Sequence, residues 1–163
     1  MKIMTCIALA LMSAGVCAQT CNPAVARTAP DERYQPQNQS AEVLDKQSRL
    51  LWQRCYVGQS WTGTSCAGQP ALYEWQQALA YAKKQGKGWR VPTIDELKSL
   101  VEAACYGPAL NATYFPDTPL DNETWSASED GKEYASYVTF YNGEGGSNDK
   151  VNAFYLRLVK TAP

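Results

Sequence analysis

The sequence contains no histidine. That removes imidazole acid–base catalysis, Ser-His and Cys-His nucleophile pairs, and histidine-bearing zinc sites. It also lacks any C-x-x-C pair, which argues against zinc-ribbon and thioredoxin-like chemistry. The formal net charge is −1 and no basic stripe stands out, so nucleic acid is not an expected partner. Phenylalanine is scarce, three residues against ten Tyr and five Trp, so most aromatic surface carries a polar tip. Only one long apolar run occurs, and no internal repeat or low-complexity tract is present.

That run, Ile7 to Met12, follows Lys2 and precedes the small residues Ser13, Ala14 and Gly15. Val16-Cys17-Ala18 then offers an A-x-A-like cleavage site. This is the layout of a secretory signal peptide over residues 1–18, too short and wrongly flanked for a membrane span. Val16 and Thr20 precede Cys17 and Cys21 where a lipoprotein signal wants Gly, Ala or Ser, so cleavage is expected rather than lipid anchoring. The expected product is exported, to the periplasm or the cell surface, with no membrane insertion after cleavage. About 145 residues remain, one domain's worth of chain, able to bury roughly two-thirds of its unfolded surface.

Cleavage leaves Cys21, Cys55, Cys66 and Cys105. An even count in an exported chain reads as disulfides. Four cysteines allow three pairings. The turn-rich YVGQSWTGTS between Cys55 and Cys66 favours a local bridge, which leaves Cys21 with Cys105.

Residues 19–40 are rich in Pro, Gln, Asn and Thr and read as an extended N-terminal arm; residues 41–163 read as the folded domain. Residues 41–45 and 49–56 flank a polar turn, the pattern of a hairpin, with Leu50 and Trp52 on one face. In ALYEWQQALAYAKKQGKG, residues Trp75, Ala78, Leu79 and Ala82 form a helical stripe. Lys83 and Lys84 suit the last turn and Gly86 the C′ position.

In GWRVPTIDEL, Pro92 drives its predecessor out of the α region, so an extended Trp89-Arg90-Val91 cannot run directly into a helix. Thr93 with Glu96 three residues later is a capping box. The acids at 95 and 96 thus have a structural task. Ile94, Leu97, Leu100, Val101 and Ala104 supply a buried face for a second helix that ends near Cys105.

Pro108, Pro116 and Pro119 make residues 107–122 irregular, with Tyr114 or Phe115 as anchor. Three strands are predicted, at 124–129, 134–142 and 152–160, with a polar glycine-rich loop at 143–150. The element order indicates an α+β fold with an antiparallel sheet, two helices, long irregular loops and disulfide staples.

LLWQRCYVGQSWTG, YEWQQAL, GWRVPTIDEL, C-x-x-P-A-L-N with YFPDTP, TWSAS and FYLRLVK, in that order, resemble the bacterial Lcl C-terminal-type domain, long catalogued as a domain of unknown function. The resemblance covers about residues 21 to 160. It implies a C-type lectin-like fold, related to sulfatase-modifying enzymes, in an exported or surface module named for collagen-like adhesins. It implies no catalytic residues. No collagen repeat is present here, and the Glu-Pro-Asn and Trp-Asn-Asp motifs of calcium-dependent lectins are missing.

The expected function is that of an exported, non-catalytic binding module. It would engage a glycan or envelope protein through loops 106–150, with Trp125, Tyr137, Tyr141, Asn142, Asn148 and Asp149 as ligand candidates and no cofactor or metal. Trp61 and Tyr155 are further aromatic candidates, and small antiparallel domains also use Tyr and Trp to fill both sheet faces. Loop residues Asp117, Asp121, Asn122, Glu123 and Asp130 lack calcium-loop spacing and read as solvated. The alternative function is a structural accessory in a periplasmic or surface assembly.

Overall fold

The structure, a computed structural model, describes residues 19–163. The expected signal peptide, with Cys6 and Cys17, lies outside those residues. The first strands are β1 (Thr20–Cys21), β2 (Tyr34–Gln37), β3 (Glu42–Asp45) and β4 (Leu50–Gln53). Next come β5 (Ser60–Trp61), β6 (Cys66–Ala67) and β7 (Leu72–Glu74), which leads into α1 (Trp75–Gln85) and then α2 (Ile94–Lys98). The chain closes with β8 (Cys105–Tyr106), β9 (Thr124–Asp130), β10 (Tyr134–Val138), β11 (Gly145–Asp149), β12 (Ala153–Tyr155) and β13 (Val159–Thr161).

Two larger sheets organise the molecule. One has the order β11-β10-β9-β12-β7, the other β13-β4-β3-β2. Pairing is antiparallel except for one parallel contact, Tyr155 opposite Thr124. The chain is therefore α+β with mostly antiparallel sheets, two helices and two disulfides. The expected hairpin forms, with Leu50 opposite Asp45 and Trp52 opposite Val43. Trp52, Val43, Leu97, Leu100, Phe115 and Val138 share one core cluster. Trp75, Ala78, Trp125, Phe154 and Leu158 share the other.

Five sequence expectations need correction. The arm at 19–40 is not one extended run: after β1 it turns at residues 23–25, makes a short 3-10 turn at Asp31–Arg33, and joins the sheet through residues 34–37 as β2. The second helix stops at Lys98: the Ser99 amide still makes the helical bond to Asp95, but those of Leu100 and Val101 bond three residues back, to Leu97 and Lys98. Leu100 and Ala104 are still buried, so periodicity identified the core face but not the helix length. Cys105 accordingly sits in β8, not at a helix end, and Cys21 opposite it pairs both as strand neighbours and as a disulfide. Finally, residues 143–150 are not a free loop. Gly145–Asp149 forms edge strand β11, whose Gly146 packs against the Tyr137 ring and Gly145 against the Lys98 side chain. The predicted strand at 152–160 is split: β12 lies in one sheet and β13 in the other.

The segment between them crosses from sheet to sheet through Leu156, Arg157 and Leu158, all fully buried. Arg157 Nη1 donates to the carbonyls of Gln53, at 2.9 Å, and of Arg54. Its guanidinium lies 4.2 Å from the Tyr56 ring centre and 4.9 Å from that of Phe115. Among the described residues no carboxylate pairs with it. Burial pulls its pKa down, partly offset by Tyr56.

The α2 start behaves as its sequence dictates. Thr93 Oγ1 accepts the Glu96 amide at 3.2 Å, and Glu96 accepts the Thr93 amide at 2.8 Å. Arg90 clamps the same carboxylate through two bonds of 2.6 Å. This contact holds the extended segment against the helix it precedes.

The N-terminal arm is held by a buried carboxylate. Glu102 accepts Arg27 Nε at 2.7 Å and the amides of Thr28, Ala29 and Ala104 at 3.0, 3.0 and 3.1 Å. Asn111 adds a bond of 2.9 Å to the Ala29 carbonyl. Burial alone would raise the Glu102 pKa; these donors outweigh it and hold the carboxyl below its ordinary value. Asp45, also buried, is lowered against burial by Arg33 and Ser48, and Glu96 by Arg90 and Thr93.

These contacts and the two disulfides can each be tested. With folded pKa values depressed, the unfolded chain binds more protons near pH 4, so stability rises with pH there. The contribution of these acids is complete above about pH 4.5 and lost as pH falls through their folded values. Denaturant titrations over this range should show that slope. Glu102→Gln should flatten it and cost about 2–4 kcal/mol at neutral pH; an unchanged slope contradicts the assignment. Thiol titration of the denatured, unreduced chain should find none of Cys21, Cys55, Cys66 and Cys105 free. Replacing Cys21 and Cys105 together by Ser should cost roughly 4 kcal/mol, since their bridge closes a loop of 84 residues.

Candidate functional site

β4 ends at Gln53, and the chain then turns sharply. Cys55, Tyr56 and Val57 are buried, and the Val57 amide bonds to the Leu156 carbonyl at 2.9 Å. Gly58 has φ of +96°, and a Cβ there would stand 2.6 Å from the Gln69 carbonyl oxygen and 2.7 Å from the Ala71 nitrogen. No larger residue fits that turn. The disulfide Cys55–Cys66 and the β5–β6 ribbon then fix Trp61, which sits opposite Cys66. The Cys66 amide also bonds to Asp117 at 2.8 Å, tying the ribbon to the irregular 107–123 segment.

The result is a cleft of about 300 Å³ where the four-stranded sheet meets the C-terminal end of α1. Beside the buried Tyr56, its rings are Trp61, Tyr81 and Trp89; its polar groups include Asn38, Glu42, Gln53 and Gln59. Each ring is braced. The Arg54 guanidinium lies 4.3 Å from the Trp61 ring centre, and the Lys160 ammonium 4.3 Å from that of Trp89. Tyr81 tilts against Tyr73 at 5.1 Å. Lys160 also lies 3.6 Å from Glu42. Burial lowers the pKa of Arg54, which has no carboxylate partner among the described residues.

The polar groups keep unused capacity. Gln59 accepts the Tyr56 amide at 3.2 Å through its oxygen, which leaves its NH₂ group as a donor. Asn38 donates to Glu42 at 3.2 Å, which leaves its oxygen as an acceptor. Rigid aromatic rings beside uncommitted amides are equipment for recognition, with both apolar faces and paired donors and acceptors.

The residues expected from sequence to bind ligand do not form this cleft. Trp125 is fully buried, with Nε1 donating to the Tyr73 carbonyl at 2.9 Å and its ring 4.3 Å from Phe154, so it presents no surface. Tyr137 is half-buried, edge-on to Phe154 at 5.5 Å. Tyr155 is buried and donates to Asp121 at 3.1 Å. Tyr141 and Asn142 are exposed at one end of the β10–β11 hairpin, with Asn142 accepting the Glu144 amide at 3.1 Å. Asn148 and Asp149 lie at the far end of β11, roughly 16 Å of strand away. There they accept bonds from Asn152 at 2.7 Å and Val151 at 3.2 Å. Among the described residues no group of three or more Asp, Glu or Cys could hold a metal ion, and Asp117 and Asp121 are engaged as above.

Sequence reasoning named Trp61 but missed Tyr81, Trp89, Gln53 and Gln59. One signal was available. Tyr81 falls off the Trp75-Ala78-Ala82 stripe, so a large ring stood outside the helix's core face. The glutamines carried none, because nothing in their neighbourhood distinguishes a cleft amide from a solvated one.

No curated protein matches this chain. The family model of the Lcl C-terminal domain matches residues 41–160, from the turn before β3 to the penultimate residue of β13, and so takes in every residue of the cleft wall except Asn38. That match spans well over half of the sequence, and the chain belongs to the Lcl C-terminal domain family.

Proposed function

We propose that this chain is an exported, non-catalytic binding module whose ligand is a glycan or another envelope component. The contact region moves from loops 106–150 to the cleft around Trp61. The observation that carries the reading is the set of three braced rings beside uncommitted amides in one concavity. The C-type lectin-like fold expected from the family is part of this proposal. It is supported by two mostly antiparallel sheets, two helices and the disulfide that staples the ligand-facing ribbon. Export is supported by the two disulfides, which persist in oxidising compartments. Among the described residues no helix is long and apolar enough to cross a membrane.

A second reading, a structural accessory working through protein contacts, has its own support. Val25, Tyr106 and Asn142 line an open groove of about 430 Å³ beside β1 and β8, with Val25 and Tyr106 exposed.

Co-sedimentation of the disulfide-bonded chain with insoluble bacterial envelope polysaccharide separates them. The binding-module reading expects saturable retention, weakened at least about tenfold by Trp61→Ala with the melting point maintained, and unaffected by Tyr141→Ala. No retention on any fraction, or retention indifferent to Trp61→Ala, contradicts it. The accessory reading expects a stoichiometric protein partner lost on Tyr106→Ala instead.

A further inference from the structure

We infer that the Trp61 cleft takes an uncharged, hydroxyl-rich sugar ring rather than an ionic ligand. This rests on the binding role proposed above and adds the chemistry of the ligand. The charges around the cleft are already committed. Arg54 lies against the Trp61 ring and Lys160 against the Trp89 ring, each at 4.3 Å. A ligand cation approaching either ring would meet a ring whose quadrupole already serves a cation, with like charge behind it. Glu42 offers little compensation, because Lys160 stands 3.6 Å from it and Asn38 donates to it. An anion fares no better. Arg54 is nearly buried, and Lys160 is shared between the Glu42 carboxylate and an indole.

What remains free is neutral and two-sided. The Gln59 NH₂ group is a donor, the Asn38 oxygen an acceptor, and the Gln53 side chain makes no hydrogen bond among the described residues, so it offers both. Sugar hydroxyls donate and accept at once, and the C–H face of a sugar ring packs on an aromatic plane. The volume of about 300 Å³ is at the small end for ligand sites, suited to one ring with its neighbours outside.

The test titrates the disulfide-bonded chain with neutral oligosaccharides, choline and a sulfated oligosaccharide, following tryptophan fluorescence and the indole N–H resonances of Trp61 and Trp89. The expected result is saturable binding of a neutral sugar that shifts both indoles and changes less than about twofold between low and physiological salt. Gln53→Ala and Trp61→Ala should each weaken it at least about fivefold, and Trp61→Phe should restore part of the loss. Preference for choline or the sulfated sugar at these indoles overturns the inference. So does envelope retention that no neutral sugar competes, a result that leaves the binding-module reading standing. Loss of envelope retention altogether removes both.

Discussion

The fold turns on a buried arginine without an acid. Arg157 lies where the chain leaves one sheet for the other, and its single guanidinium touches three separate segments. It bonds to the last carbonyls of the β4 run, stacks on Tyr56 in the turn that follows, and stacks on Phe115 from the irregular segment. An unpaired cation in such a place is costly, several kcal/mol in typical proteins. Here two ring faces and two carbonyl dipoles replace the missing carboxylate. The consequence is geometric. Residues 53–57 cannot drift from the sheet crossover, and those residues open the loop that carries Trp61.

From that point the covalent and steric constraints stack in one direction. Gly58 allows the reversal that no side chain would permit, and Cys55–Cys66 shortens the loop. Arg54 supports the Trp61 ring from behind. On the opposite side, the capping box and Arg90 hold the strand-like segment that follows Trp89, while Lys160 of β13 braces the ring itself. The cleft is thus assembled from the four-stranded sheet, the β5–β6 ribbon and α1, with its rings fixed before any ligand arrives. Preorganisation of this kind removes the ordering cost that a mobile aromatic would add to binding. The N-terminal arm plays a separate part: Glu102 and the Cys21–Cys105 bridge close the far side of the core without reaching the cleft.

Local rules made much of this legible in the sequence. The α1 stripe, the Thr93 capping box, the 41–56 hairpin and both disulfides follow from spacing and residue type alone. The failures share a cause. Gly145 and Gly146 read as a loop because glycine favours turns, yet β10 recruits them as an edge strand, and the Lys98 side chain and the Tyr137 ring cover the space their missing side chains leave. Leu100 and Ala104 keep helical periodicity past Lys98, where bonds of turn geometry end the helix. Trp125 looked like a ligand-facing ring and is core, because β9 lies inside its sheet, covered on both faces. Glu102 and Arg157 resemble any other charged residue in sequence. Only tertiary context buries them, and no window of neighbouring residues encodes that.

If Arg157 sets the position of the segment that forms the cleft, its loss should be felt there first. Native-state hydrogen exchange on Arg157→Lys tests this directly, since Lys keeps the charge but not the planar guanidinium that lies on two rings while its Nη1 bonds to two carbonyls. The account expects the amides of residues 55–61 and the Trp61 indole N–H to lose protection while those of β9 and β10 keep theirs. Protection unchanged at 55–61, or lost evenly across both sheets, would contradict it.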